Sequence, residues 1–252
     1  MSGARPDEQT PGPEPWVFQP APDLERSVAE RLRGFPREPD MLVYGARSLA
    51  SLVLRGWLRA YHRMRVVGRE HLPRDGSFVM VANHASHLDA PCLLSGVPLG
   101  RIHRTFPAAA ADYFFDNLPT SAFSAIFINA MPFDRKAKGE ESLAICRTLL
   151  GDPGNALILF PEGTRTTTGK IARFRSGIGR IVAGTDIPVV PCHLAGAGLA
   201  WPKGRAFPRP RRLALMIGAP RVYRDVETTP AGVRHICDDL RAAVCELGGV
   251  PD

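Results

Sequence analysis

The sequence predicts an α/β fold in which helices sandwich a largely parallel central sheet, preceded by a basic amphipathic helix. Three observations carry that expectation. Short apolar runs bounded by turn formers, "SFVMVAN", "NALILFPEG" and "IPVVPCHLAG", read as buried strands. Helical patterns lie between them, notably "GEESLAICRTLLG" and "FRSGIGRIVAGT", and strands alternating with helices build a parallel sheet covered on both faces. The 252 residues, 44% of them hydrophobic, suffice to bury one core of this kind.

Taken in order, residues 1–40 hold eight prolines, many charges and few apolar side chains. Such a segment cannot offset its ordering entropy by burial, so a mostly disordered leader is expected, followed by a single domain over 41–252. No basic head followed by an apolar stretch opens the chain, so a secretory signal is not expected. From Met41 the pattern becomes helical. At about 100° per residue, Leu42, Ala46, Leu49, Val53, Trp57, Ala60 and Met64 share one narrow face, with Arg47, Arg55, Arg59 and Arg63 on the opposite half. A helix over 41–64 fits an interfacial anchor, and equally fits a helix whose apolar face packs on the domain. The longest uncharged stretch, 117–133, falls short of the roughly 18 apolar residues of a membrane span and contains two prolines. At the far end Thr229 is placed to cap a helix over 229–247, with Pro230 in its first turn, Val233, Ile236, Leu240 and Val244 on the buried side, and Gly248 as terminator.

Charge narrows the partners. The 32 Lys and Arg exceed the 25 Asp and Glu, a net +7 that favours polyanions, whether phosphorylated substrates, coenzymes, acidic lipid surfaces or nucleic acid. The basic residues lack the aromatic-rich patterns of single-strand binders, so no nucleic-acid partner is expected. Cys92, Cys146, Cys192, Cys237 and Cys245 match no zinc or thioredoxin spacing, and an odd count of free thiols suits a reduced compartment.

The first chemical motif is "NHASHLD", residues 83–89. A binuclear metal pattern would need histidines at i and i+2 and another after the aspartate, whereas here the pair is His84 and His87 and Ala90 follows Asp89. No metal is expected. A base with its orienting acid fits better, because imidazole takes a proton near neutral pH and a carboxylate on its other nitrogen fixes the tautomer. His84 and Asp89 suit those roles only if His84 precedes the helix, since positions i and i+5 stand about 140° apart on a regular one. A strand-to-helix turn supplies that geometry and would aim free helix amides at an anionic ligand. His87 reads as a packing or hydrogen-bonding residue and Asn83 as a strand-end cap. The second motif, "LILFPEGTR" at 157–165, followed by "GK" and "RFRSG", makes a basic loop at the carboxyl end of a strand, where open α/β sheets bind ligands.

Together "NHASHLD" and "FPEGTR", with Phe160 lying 71 positions after Asp89, resemble the glycerolipid acyltransferase family, typified by 1-acylglycerol-3-phosphate acyltransferases. The likeness covers roughly residues 65–220. It implies that His84 and Asp89 are the catalytic dyad, and that Glu162, Gly163, Thr164 and Arg165 belong to the acceptor site, with Lys170 beside them. "FINAMPFDRK" corresponds to a further block and so brings Arg135, although Met131 and Pro132 depart from that block's usual run. "IPVVPCHLAG" resembles the fourth block, centred on Pro191.

The implied reaction moves an acyl group from acyl-coenzyme A or acyl carrier protein to the hydroxyl of a lysophospholipid, 1-acylglycerol-3-phosphate by default, in phospholipid biosynthesis. No cofactor is expected beyond the donor itself. No "G-x-S-x-G" elbow is present, so an acyl-enzyme is not expected. The expected setting is peripheral, at an anionic membrane surface on the cytoplasmic side of the cell membrane. A non-catalytic membrane-binding adaptor of the same fold is the alternative, but it gives no reason for His84, Asp89, Glu162 and Arg165 to occur together.

Overall fold

Strand β2 (Phe78–Ala82) is buried along its whole length. Its side chains alternate between two cores, as the period of a strand requires: Val79 and Val81 enter one, Phe78, Met80 and Ala82 the other. The computed structural model describes residues 41–110, 131–133, 139–166, 168–202 and 204–249, and sets β2 inside a seven-stranded sheet. The other strands are β1 (Arg65–Val67), β3 (Thr105–Ala110), β4 (Met131–Phe133), β5 (Ala156–Leu159), β6 (Val189–Ala195) and β7 (Ala214–Ile217). They lie in the order β1-β7-β6-β2-β5-β3-β4. Every neighbouring pair is parallel except β6 with β7, so β1 and β7 run against the rest.

The three apolar runs read as strands are β2, β5 and β6. Sequence reasoning did not single out β1, β3, β4 and β7, for a physical reason. β1 and β4 have three residues each, and β3 is "TFPAAA", with a proline and no β-branched run. Such segments become strands because a neighbouring edge pairs with them.

Helices cover both faces. α3 (Gly139–Gly151), α4 (Gly177–Val182) and α6 (Pro230–Leu247) pack on the Val79 and Val81 side. α1 (Met41–Tyr61), α2 (Asp89–Gly96) and the short α5 (Ala197–Ala200) lie on the other. α6 starts as expected: the Thr229 side chain accepts from the Gly232 amide at 3.2 Å, and Val233, Ile236, Leu240 and Val244 are buried. Its terminator works differently from a left-handed cap. Gly248 has φ −86°, and glycine is required there because a Cβ would stand 2.2 Å from His193 Cε1.

The N-terminal helix is oriented with its apolar face outward. It ends at Tyr61 rather than at 64, and Leu42, Ala46, Leu49, Val53 and Ala60 are exposed, with Leu42 at 84%. Only Trp57 and Met64 of that stripe reach the core, partly buried. The inward face mixes polar and apolar side chains: Arg47, Ser51 and Leu58 are buried, Leu54 and Trp57 pack on the core, and Arg55 donates to the carbonyls of Leu94 (3.4 Å) and Val97 (2.5 Å) at the end of α2. Those carbonyls lack helical partners and sit at the negative end of the α2 dipole, so a guanidinium suits them. Of the four arginines opposite that stripe, Arg47 is therefore buried and Arg55 ties the helix to α2. Among the described residues no helix is long and apolar enough to cross a membrane. The 1–40 leader lies outside the described residues.

Phe78 is fully buried, with the Arg101 guanidinium over its ring at 4.9 Å. Phe78→Ala is expected to cost about 3–5 kcal/mol, read as a lower denaturant midpoint with an unchanged slope.

Candidate active site

Sheet order brings the two motifs together. β2 and β5 are parallel neighbours, in register from Phe78↔Ala156 to Val81↔Leu159, so the loops that follow them leave the same edge. Asn83 closes the β2 end. Its side chain donates to Leu194 O at 3.0 Å and accepts from Leu194 N at 2.8 Å, extending the β2·β6 pairing by one rung.

His84 stands in the turn before α2, and Asp89 is the first residue of that helix. His84 Nδ1 lies 2.8 Å from Asp89 Oδ2. The same oxygen accepts from the amides of Ala85 (2.6 Å) and Ser86 (2.8 Å). With two obligate donors already on it, this oxygen is an acceptor toward the ring as well. Nδ1 therefore carries the proton and the lone pair is on Nε2. Asp89 is buried, His84 is 19% exposed, and the imidazole stacks on Phe160 with centroids 4.3 Å apart. A held imidazole with a reachable basic nitrogen is a general base.

Five of the amides around this turn, expected to be free for a ligand, are used within the protein. Those of Ala85 and Ser86 go to Asp89, that of Leu88 to Ser86 Oγ (3.1 Å), that of Asp89 to Ser86 O (3.5 Å) and that of His84 to Glu162. They build the dyad instead. Ser86 Oγ also donates to Trp201 O at 2.8 Å, so the hydroxyl belongs to the turn.

Glu162 is a clamp between the motifs. Buried at 3% exposure, its Oε1 accepts from the His84 amide at 2.7 Å and its Oε2 from the Ala172 amide at 2.9 Å. Burial, with a small contribution from Asp89, pushes its carboxyl above the ordinary range, and the two amide bonds and His84 oppose that. The Thr166 amide adds a second tie, donating to His84 O at 2.8 Å. Glu162 thus acts on the base through its backbone, a role different from the acceptor contact the resemblance implied.

Gly163 follows a tight turn in which its amide donates to Phe160 O at 3.0 Å. Its φ is +73°, a conformation that favours glycine, while the atoms a Cβ would meet belong to the exposed Arg175 side chain, which can move aside. Arg165 is half-buried, and its guanidinium meets His87 Nε2. Thr164 and Lys170 are exposed on the loop, and the Lys170 amide donates to Thr168 Oγ1 at 3.4 Å. Arg135, two positions beyond β4, lies outside the described residues. The structure therefore gathers His84, Asp89, Glu162, Gly163 and Arg165, and leaves Thr164 and Lys170 at the surface. Sequence reasoning missed Phe160 as the ring under the base and His87 as the contact of Arg165, because neither pairing has a spacing signature across 78 or so positions. Among the described residues no group of three His, Cys, Asp or Glu is placed to hold a metal ion.

Comparisons with known proteins match the part of the chain that carries these residues. The family model described as Acyltransferase matches residues 63–195, just over half of the chain. The 1-acyl-sn-glycerol-3-phosphate acyltransferase of Chlamydomonas reinhardtii is 30% identical over 161 residues, covering 62% of this chain and 46% of that protein. A chloroplastic enzyme of the same name from Brassica napus is 31% identical over 146 residues, covering 57% and 40%. The chain thus spans less than half the length of these two relatives. The crystal structure of the 1-acyl-sn-glycerophosphate acyltransferase PlsC from Thermotoga maritima superposes with a TM-score of 0.61 at 25% identity, over 81% of this chain and 79% of that one.

Glu162→Gln sets an amide NH2 against one of the two N–H donors now bonded to the carboxylate. A loss of about 1–3 kcal/mol is expected in chemical denaturation. Gly163→Ala is expected to be destabilising too, through the cost of the positive φ, and Arg175→Ala should recover little of that loss.

Proposed function

The chain belongs to the Acyltransferase family, and on that premise we propose that it transfers a fatty acyl group from an acyl thioester to the hydroxyl of a lysophospholipid, 1-acylglycerol-3-phosphate first among them. The observation that carries the reading is the His84 Nδ1 to Asp89 Oδ2 bond of 2.8 Å, which leaves Nε2 to act as base beside a loop bearing Arg165. Nε2 takes the proton of the acceptor hydroxyl as its oxygen attacks the thioester carbonyl. A tetrahedral intermediate forms, the C–S bond breaks, and the imidazolium returns its proton to the departing thiolate. Asp89 stabilises the imidazolium and holds its orientation.

Arg165 is assigned to the acceptor's phosphate, for which a planar guanidinium forms paired charge-assisted hydrogen bonds. Lys170, Thr164 and Arg135 are assigned to the same end of the acceptor, on the strength of their places in the motif blocks. Coenzyme A and acyl carrier protein both fit as donor carriers, since the chemistry at the carbonyl is common to them. The outward apolar stripe of α1 supports contact with an anionic membrane surface, where a lipid acceptor resides and where Leu42, Leu49 and Val53 would enter the headgroup boundary. A peripheral position on the cytoplasmic side follows from a donor of either kind.

Thiol release from acyl-coenzyme A in the presence of lysolipid, with products identified by mass spectrometry, tests the activity. His84→Ala is expected to lower turnover by about 100- to 10,000-fold, and Asp89→Asn to reduce it severely with the fold intact. Near wild-type turnover by folded His84→Ala would remove the mechanism. Complete inactivity of the wild type across acceptors and donors would favour the adaptor reading.

Vesicle flotation tests the surface. Binding is expected to rise with anionic lipid and fall with salt, and Leu49→Ser with Val53→Ser to weaken it. Equal recovery with neutral and acidic vesicles at every salt concentration would count against the anchor.

A further inference from the structure

His87, the second histidine of the motif, has no part in the reaction above, yet its ring ends against the residue assigned to the acceptor's phosphate. Nε2 of His87 meets the Arg165 guanidinium. A guanidinium only donates, so Nε2 is the acceptor and the ring's proton resides on Nδ1. The imidazole is wedged rather than loose. Trp201 flanks it with centroids 5.3 Å apart, and Trp201 is itself held, its carbonyl accepting from Ser86 Oγ at 2.8 Å and its indole N–H donating to Arg205 O at 2.7 Å.

We infer that His87 is a positioning residue for acceptor binding: as a neutral hydrogen-bond acceptor it holds the Arg165 guanidinium in the orientation that grips the phosphate. The inference rests on the reading that Arg165 binds the acceptor. A long side chain already held in place loses less rotamer freedom when the ligand arrives, so binding is tighter than with a free arginine. The contact also depends on protonation. A proton on Nε2 removes the lone pair and sets one cation against another. Among the described residues, the groups facing His87 include Arg165 from the loop after β5, Trp201 from the segment after α5, and His84 and Asp89 from its own turn. Burial first, then Arg165 and His84, lower its pKa below the ordinary histidine value, with Asp89 opposing. The ring is therefore neutral at neutral pH, and the contact is lost as pH falls through that lowered value.

Steady-state kinetics on the full chain in mixed micelles tests this, with 1-acylglycerol-3-phosphate and an unphosphorylated monoacylglycerol as acceptors. His87→Leu is expected to raise the KM of the phosphorylated acceptor about fivefold or more, moving it further than the donor KM or kcat. The monoacylglycerol KM should stay put, and adding His87→Leu to Arg165→Ala should bring little further loss, because the two residues act as one unit. His87→Gln offers an amide oxygen that does not titrate. It should recover most of the loss and flatten the rise in acceptor KM that the wild type shows as pH falls. The phosphate's own titration is common to both proteins and cancels in their ratio.

If Arg165→Ala raises the acceptor KM and His87→Leu does not, this inference fails while the acceptor reading stands. If Arg165→Ala leaves the acceptor KM unchanged, the acceptor reading fails and the inference with it. A fall in kcat alone for His87→Leu, not restored by His87→Gln, would assign His87 to packing and overturn the proposal.

Discussion

One carboxylate oxygen, Oδ2 of Asp89, accepts from three N–H groups, and the candidate site is organised around that fact. Two of the donors are backbone amides, so the same charge that orients His84 also closes the turn presenting it. Donors offset the cost of burying a carboxylate, and here all three gather on Oδ2 and come from groups it must position, while Oδ1 is buried with no partner among the described residues. Glu162 repeats the device one strand away, with its two oxygens on the amides of His84 and Ala172. The two motifs are therefore joined by charge-assisted bonds to backbone, which leave little freedom for side-chain rearrangement.

This local chemistry needs a sheet that brings the loops within reach. β2 lies between β5 and β6, parallel to both and buried on both faces, so its carboxyl end cannot move without disturbing two cores. Asn83 makes the junction explicit, substituting side-chain amide for backbone at the last rung toward β6. The site stands where a rigid strand ends and irregular backbone begins, a place where open α/β sheets leave room for ligands.

The N-terminal helix shows the limit of a hydrophobic stripe as evidence for burial. Most residues of its apolar stripe face outward, and the docking face carries Arg47, Ser51 and Arg55 together with the buried Leu58. Burying a guanidinium is favourable when it meets carbonyls that would otherwise lack partners, and the end of α2 supplies them. Among the described residues Leu49 and Val53 of this stripe, with Leu52 beside them, are exposed, which is why it supports a surface contact.

Local physics sufficed for whatever depends on neighbours in the chain. The strands β2, β5 and β6, the extent of α3, the cap of α6 and the pairing of His84 with Asp89 across a strand-to-helix turn were all legible, because apolar period, capping chemistry and a five-residue separation are local quantities. Motif resemblance added Glu162, Gly163 and Arg165 to one site without saying what each touches. Tertiary structure decided the rest: that Glu162 braces the base through its backbone amide, that His87 meets Arg165, and that α1 docks by the face carrying Arg55 and Leu58. Each of these joins groups brought together by sheet order and helix packing. Contacts of that kind have no period and no fixed spacing, so only the folded chain defines them.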